Sequence, residues 1–276
     1  MKNAVITALA TPFVNDGIDV ESYIKLVTYQ KRSGVDALLA LGTTAEAQLL
    51  TRGEKKLLLT IAKEISAELP LIAGVEESAT KKAVYESVFA EKLGANALLI
   101  APPSFCKCTE EGYRLHVEQI AESVNIPLIL YNVPSRVGYG LSVTAVKSLA
   151  NKIVGVKDAA DDTAFAEKIS DGINVLCGNE LKLRDYLTRG AKGVISVVSN
   201  AAPRLTREAV SGKTSGIFDG LAKLSMLETN PIAIKYMLYK QRIFATCDAR
   251  LPLTAASKRT RNAIDVFFEK NRDVIR

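Results

Sequence analysis

Eight short apolar runs rich in Val, Ile, Leu and Ala recur along the chain, at 5–9, 37–41, 71–75, 97–101, 127–131, 153–157, 173–177 and 193–198. Near-continuous apolar runs of this length suit parallel strands buried on both faces. The segments between them predict helices. Val20, Tyr23, Ile24 and Val27 follow the i, i+3, i+4, i+7 stripe of an amphipathic helix. Thr51 and Glu54 make a capping box ahead of Leu57, Leu58 and Ile61. Gly34, Gly94 and Gly190 each stand just past a predicted helix and just before a strand, where a left-handed residue ends a helix at little cost. Pro70 and Pro127 halt the chain before the third and fifth strands.

Eight alternations of strand and helix predict a (β/α)8 TIM barrel over residues 1–212. A doubly wound sheet would normally stop sooner. The residues beyond 198 exceed one closing helix, so 213–276 is expected to be a C-terminal helical extension. A length of 276 residues fits one such barrel. Hydrophobic residues at 48% and charged residues at 24% exclude a disordered chain. No apolar run reaches the roughly 18 residues of a membrane span. The N-terminus lacks signal-peptide architecture, so a cytoplasmic protein is expected.

The cysteines at 106, 108, 177 and 247 are expected to be free thiols; Cys106-Lys107-Cys108 has no second Cys pair or His nearby in sequence to complete a metal site. The single histidine, His116, argues against a His-based metal centre and a Ser-His-Asp hydrolase. The net charge of +6 is dispersed among acidic residues, and Lys258-Arg259-Thr260-Arg261 suits a solvated helix face. Without basic–aromatic interleaving, no nucleic-acid partner is expected. Ser211-Gly212-Lys213-Thr214 imitates the end of a phosphate-binding loop, but Arg207 stands where its first glycine is required.

In a barrel, chemistry sits at the C-terminal strand ends. Those ends carry Gly42-Thr43-Thr44-Ala45-Glu46, Gly74-Val75-Glu76, Tyr131-Asn132-Val133-Pro134-Ser135-Arg136, Lys157-Asp158, Gly178-Asn179-Glu180 and Ser196-Val197-Val198. Lys157 follows four apolar or small residues inside its strand. Burying an ammonium is costly, so a lysine there tends to lose its proton and can attack a ketone. The competing reading is a rim lysine paired with Asp158. Tyr131 is either a proton carrier or a mouth aromatic. Thr43 and Thr44 either hold a small carboxylate or simply make a turn. Arg136 is either a carboxylate clamp or a surface arginine.

Taken together these segments resemble the dihydrodipicolinate synthase / N-acetylneuraminate lyase family over essentially the whole chain. The match runs from Ala8-Leu9-Ala10-Thr11-Pro12-Phe13 through Gly42-Thr43-Thr44-Ala45-Glu46 (Ala45 where Gly is usual), Tyr131 to Arg136, Gly155-Val156-Lys157-Asp158 and Gly193-Val194-Ile195-Ser196-Val197 to Glu228-Thr229-Asn230-Pro231-Ile232 and Arg250-Leu251-Pro252-Leu253. Arg136 and the last two segments resemble the synthase branch. The resemblance implies a cofactor-free lyase, a homotetramer built from dimers, acting on pyruvate and an aldehyde. Lys157 would form the Schiff base, Tyr131 and Thr43 would relay protons, Thr44, Gly178 and the Ile195 carbonyl would serve pyruvate, and Arg136 the carboxylate of aspartate semialdehyde. Phe105 stands where the family usually has a relay tyrosine, with Tyr139 the suggested replacement. Two other readings stand beside the synthase: an aldolase for a 2-keto-3-deoxy sugar acid, and a non-catalytic keto-acid-binding paralogue.

Overall fold

The computed structural model describes residues 3–160, 162–213 and 215–275; Thr214 of the loop-like run falls outside them. Eight parallel strands form a closed barrel: β1 (Ala4–Ala8), β2 (Ala37–Ala40), β3 (Leu71–Val75), β4 (Ala97–Ile100), β5 (Leu128–Asn132), β6 (Ile153–Asp158), β7 (Asn174–Cys177) and β8 (Gly193–Ser196). Closure is set by β1, whose Ile6 pairs with Ile195 of β8 and with Ala37 of β2. The (β/α)8 class is therefore as the pattern of apolar runs predicts. The eighth strand is shorter than its apolar run, because the chain turns into a single 3-10 turn at Val198–Asn200.

Strand alternation divides the core into two layers. Ile6, Leu39, Ile72, Leu99, Ile129 and Ile195 fill the barrel interior. Their neighbours Val5, Leu38, Ala73, Leu98, Leu130 and Val194 face the helices. An apolar strand therefore satisfies both layers at once, which is why the runs show no polar alternation.

The first helix, Val20–Arg32, differs from its predicted stripe. Val20 and Ile24 are exposed, while Tyr23, Leu26, Val27 and Gln30 are buried. The rotation has a polar cause. Gln30 accepts a hydrogen bond from the Thr7 hydroxyl at 2.8 Å and donates from Nε2 to the Asn200 carbonyl at 3.0 Å. Burying that amide with both ends satisfied fixes the helix face. The capping box at Thr51 and Glu54 forms as expected, but Leu57 points outward and Leu58, Leu59 and Ala62 pack inward. Gly34, Gly94 and Gly190 adopt φ of +70°, +88° and +94°, in keeping with helix ends that need a left-handed residue.

Asn200 latches the closure. Its Nδ2 donates to the Ala8 carbonyl at 2.7 Å, and its Oδ1 accepts from the Ala10 amide at 3.1 Å. Glu180, after β7, accepts from the Ser196 hydroxyl and from the amides of Val197 and Val198, tying the ends of β7 and β8 together.

Beyond the barrel lie the helices Gly216–Ser225, Ile232–Lys240 and Lys258–Lys270. The second of them and the loop that follows it are pinned to the barrel mouth. Lys235 Nζ lies 2.6 Å from Glu46 Oε1, and neither side chain exposes any surface. Glu46 Oε2 accepts from the Arg250 amide at 2.9 Å. The Arg250 guanidinium is held by both carboxylate oxygens of Glu54 and by Asp16. The ring of Phe13 lies under both cations, at 4.3 Å from Lys235 and 4.5 Å from Arg250.

Removing one partner of a buried ion pair strands the other charge, at a cost of about 3–5 kcal/mol, whereas removing both costs less. Lys235→Met is expected to lower unfolding free energy in urea by about that amount. Adding Glu46→Gln to it should recover part of the loss. A double variant as unstable as the sum of the two single changes would show that the charges are not coupled.

Candidate active site

Two adjoining hollows open at the C-terminal ends of the strands, of about 690 and about 250 Å³. They share the walls Thr43, Tyr131, Val133, Arg136, Thr229 and Asn230. The larger lobe adds Lys157, Thr44 and Gly178. The smaller adds Glu76 and Phe105. A hollow of about 940 Å³ between Tyr29, Lys240, Arg242 and Asp265 is larger than either, but none of the predicted site residues lines it.

Lys157 sits on β6 opposite Tyr131 of β5, in register. It is 6% exposed, and its Nζ lies 4.4 Å from the centroid of the Tyr131 ring. The rim reading of this lysine therefore fails. Asp158 does not pair with it, because successive strand residues point to opposite faces. Asp158 instead faces outward and is buried. It accepts hydrogen bonds from Asn132 Nδ2 at 2.9 Å, the Tyr186 hydroxyl at 3.0 Å and the Ala160 amide at 3.1 Å. These bonds fix the backbone on which Lys157 stands.

Gly178, at the end of β7, approaches Lys157 closely. A Cβ built there would lie 2.9 Å from Ala159 Cβ and 3.1 Å from Lys157 Cε, and the glycine amide donates to the Asp158 carbonyl at 2.7 Å. Any larger residue would push the lysine stem aside.

The Gly42–Glu46 segment turns sharply after β2, with Glu46 at φ +56°. Thr44 is buried, and its Oγ1 accepts from Asn230 Nδ2 at 3.0 Å, so the extension touches this turn directly. The Thr43 hydroxyl donates to Glu76 Oε1 at 2.9 Å. Arg136 is exposed at the mouth, with Nη2 3.4 Å from the Asn230 carbonyl. Ile195 lies deeper, in the same interior cluster as Tyr131, and its side chain lines neither lobe. Phe105 exposes its whole ring and takes φ +61°. Tyr139 packs against the interior cluster that contains Tyr131 but is not a wall of either lobe; its hydroxyl donates to the Pro103 carbonyl at 3.0 Å and contacts Cys108 Sγ.

Burial pushes the Glu76 carboxyl above the ordinary carboxylate range, partly offset by the Thr43 hydroxyl and by the positive charges of Arg136, Lys157 and Lys55. Neither Glu76 nor Asn230 had been assigned a role from the sequence. Glu76 directly follows β3, a position the strand-end rule does flag, but an acid there commonly faces water. Asn230 belongs to the extension, and only the fold brings it to Thr44. His116 is buried in the helix Glu110–Ser123, with Nδ1 3.0 Å from the Thr80 hydroxyl. All four cysteines are free thiols. Among the described residues, no group of three or more His, Cys, Asp or Glu is placed to hold a metal ion.

A closed barrel with a buried lysine, two threonines and a tyrosine converging at its mouth has the layout of an enzyme active site, and the relatives described next make the chain an enzyme of the lyase class. The model of the dihydrodipicolinate synthetase family matches residues 1–270, and the chain belongs to that family. A 4-hydroxy-tetrahydrodipicolinate synthase of Legionella pneumophila is 35% identical over the full length of both chains. One from Thermotoga maritima is 36% identical over 94% of this chain and 95% of its own. Among solved structures, the dihydrodipicolinate synthase of Thermotoga maritima superposes with a TM-score of 0.93 at 33% identity, covering 99% of each chain. The chloride-inhibited dihydrodipicolinate synthase of Acinetobacter baumannii, complexed with pyruvate, gives 0.93 at 32% identity over all of both chains.

Asp158, next to Lys157 on β6, is a buried carboxyl. Burial pushes its carboxyl up to about 6, against the hydrogen bonds from Ala160, Tyr186 and Asn132. A carboxyl raised in the folded state contributes stability that is complete below the unfolded value and is lost as pH rises through the folded one. The stability of the parent relative to Asp158→Asn should therefore fall between pH 4 and pH 7, by roughly 2–3 kcal/mol in urea unfolding. A difference that stays flat over that range would mean that Asp158 titrates normally.

Proposed function

We propose that the chain condenses pyruvate with L-aspartate 4-semialdehyde to give 4-hydroxy-tetrahydrodipicolinate, in the biosynthesis of diaminopimelate and lysine. The observation that carries this reading is the buried Lys157 amine over the Tyr131 ring, in a cavity walled by Thr43 and Thr44. The names of the full-length relatives support it, as does the pyruvate complex of the Acinetobacter baumannii protein.

The Lys157 amine attacks the pyruvate ketone, and loss of water leaves an imine. Once protonated, that imine is an electron sink. The adjacent methyl group gives up a proton, and the enamine forms. Its terminal carbon attacks the aldehyde, making the new carbon–carbon bond. The amino group of the acceptor then displaces the lysine at the imine carbon, closing the ring and freeing Lys157. Thr44 and the turn amides hold the pyruvate carboxylate. Gly178 leaves room beside the lysine stem. Tyr131 and Thr43 carry protons, and Arg136 binds the carboxylate of the acceptor. The Ile195 carbonyl bounds the floor of the site. Phe105 retains the ring of the usual relay residue and cannot carry a proton.

Residues 213–276 act in this reading as an extension that depends on the barrel of residues 1–212, since its contacts run to Glu46 and Thr44. The protein works in the cytoplasm as a homotetramer. No helix among the described residues is long and apolar enough to cross a membrane.

Borohydride reduction in the presence of pyruvate should add one three-carbon adduct at Lys157, located by peptide mass spectrometry and missing from Lys157→Ala. A parent chain that yields no adduct would sink the assignment and leave a non-catalytic binder. The acceptor is tested separately. In a coupled assay, turnover with aspartate semialdehyde supports the synthase, whereas activity confined to 2-keto-3-deoxy sugar acids supports the aldolase.

Arg136→Ala should raise KM for aspartate semialdehyde about tenfold or more, because a hydrogen bond to a charged group is worth about 1.5–3 kcal/mol. Pyruvate trapping should persist in that variant. An unchanged KM would remove Arg136 from acceptor binding.

A further inference from the structure

Forming the enamine requires a group that accepts the methyl proton and later returns one. The hydroxyls of tyrosine and threonine are poor sinks near neutral pH, since their ordinary pKa values lie at about 10 and above. Efficient general acid–base work calls for a group that titrates near the working pH. The smaller lobe contains a carboxyl placed to work with Thr43. Glu76 lies at the end of β3, half-buried, and its Oε1 accepts the Thr43 hydroxyl proton at 2.9 Å. Thr43 and Tyr131 form the wall between this lobe and the one that holds Lys157. Because the Thr43 hydroxyl donates to Glu76, its lone pairs are left to accept from the reacting side.

We propose that Glu76 is the proton reservoir of this site, acting through the Thr43 hydroxyl. The inference rests on the imine at Lys157 proposed above. A C–H bond of the imine's methyl group breaks, and its electron pair becomes the enamine double bond as the C=N π pair moves onto nitrogen. The released proton passes to the Thr43 oxygen while Thr43 gives its own proton to Glu76. Reversal of the same transfer returns a proton when the product forms. Because Glu76 reaches the reacting carbon only through Thr43, it is a positioning residue.

The surroundings of Glu76 suit this role. Burial disfavours its ionised form, so the carboxyl takes a proton more readily than one in water. Arg136, Lys157 and Lys55 oppose that effect without cancelling it. Lys55 is itself held by Glu77 at 3.8 Å and Glu86 at 3.6 Å. Tyr131 and Glu46 are the other titratable walls of the lobe, and Glu46 is committed to Lys235. Among the acids lining the lobe, Glu76 is the one whose carboxylate is hydrogen-bonded to a residue that also lines the lobe of Lys157.

The test follows exchange of the pyruvate methyl protons with deuterium oxide by NMR, alongside borohydride trapping. Glu76→Gln keeps the acceptor oxygen for Thr43 but cannot hold the proton. It should still trap pyruvate at Lys157, while exchange falls about 10²-fold or more. The parent exchange rate should rise with pH through a group titrating above the ordinary carboxylate range, and that limb should vanish in Glu76→Gln. Glu76→Asp keeps a carboxyl and should retain at least about a tenth of the parental rate; it also carries the test if Glu76→Gln does not fold. A Glu76→Gln protein that traps pyruvate and exchanges at the parental rate overturns the proposal, as does a Glu76→Asp protein that traps pyruvate with no measurable exchange. A parent chain that forms no adduct instead removes the imine reading beneath it.

Discussion

The mouth of the barrel depends on one buried ion pair. Glu46 ends the turn that presents Thr43 and Thr44, and it does so in a left-handed conformation that an unsupported glutamate would rarely hold. Lys235 reaches in from the C-terminal helices and binds its carboxylate where neither charge meets water. The Arg250 amide takes the second oxygen. An ion pair this deep contributes little to net stability, because desolvation cancels most of the attraction. Its value lies in specificity. A charge that can be satisfied in one arrangement forbids the others, and here that arrangement fixes both threonines. Asn230 repeats the device at Thr44 with a neutral hydrogen bond. The extension is thereby part of the site, although it contributes no strand to the barrel.

A similar division of labour holds across β5 and β6. Lys157 and Tyr131 face the cavity as a registered pair, while Asp158 and Asn132 face outward as the next pair along. The outward pair is hydrogen-bonded to itself and, through Tyr186, to the helix Leu183–Thr188. The inward residues therefore stand on backbone that cannot slide. For the proposed mechanism, strand alternation thus separates two tasks that conflict in one place, since a reactive amine must stay free of partners while its backbone must be tightly held.

The barrel was legible because it is written in local terms. Each barrel strand is an apolar run, and several helix ends carry a glycine or cap within a few residues. The strand-end residues Thr43, Thr44, Tyr131, Arg136, Lys157 and Gly178 could be placed near one another from topology alone, and the structure gathers them around one cavity. What escaped was fixed by distant partners. The face of the first helix was misread because Gln30 answers to Thr7 and Asn200, which no periodicity reveals. Glu76 was visible as a strand-end acid, but its burial and its bond to Thr43 required the packed structure.

The cavity also poses an electrostatic problem that its layout resolves. Its proposed substrates each bring a carboxylate, and an additional fixed anion would repel them at close range. A carboxyl whose ionisation is resisted by burial escapes this conflict while it carries a proton. Placing Glu76 in the smaller lobe, behind Thr43 and Tyr131, keeps its charge farther from the bound anions when the proton is gone. Arg136, shared by both lobes, acts on the carboxyl and, in the proposed reaction, on the incoming acceptor. The proposed reaction thereby couples acceptor binding to the protonation of Glu76. In that reaction an anion drawn to Arg136 weakens the pull that favours ionised Glu76, and so raises its affinity for a proton at the stage when the methyl group of the imine has just released one.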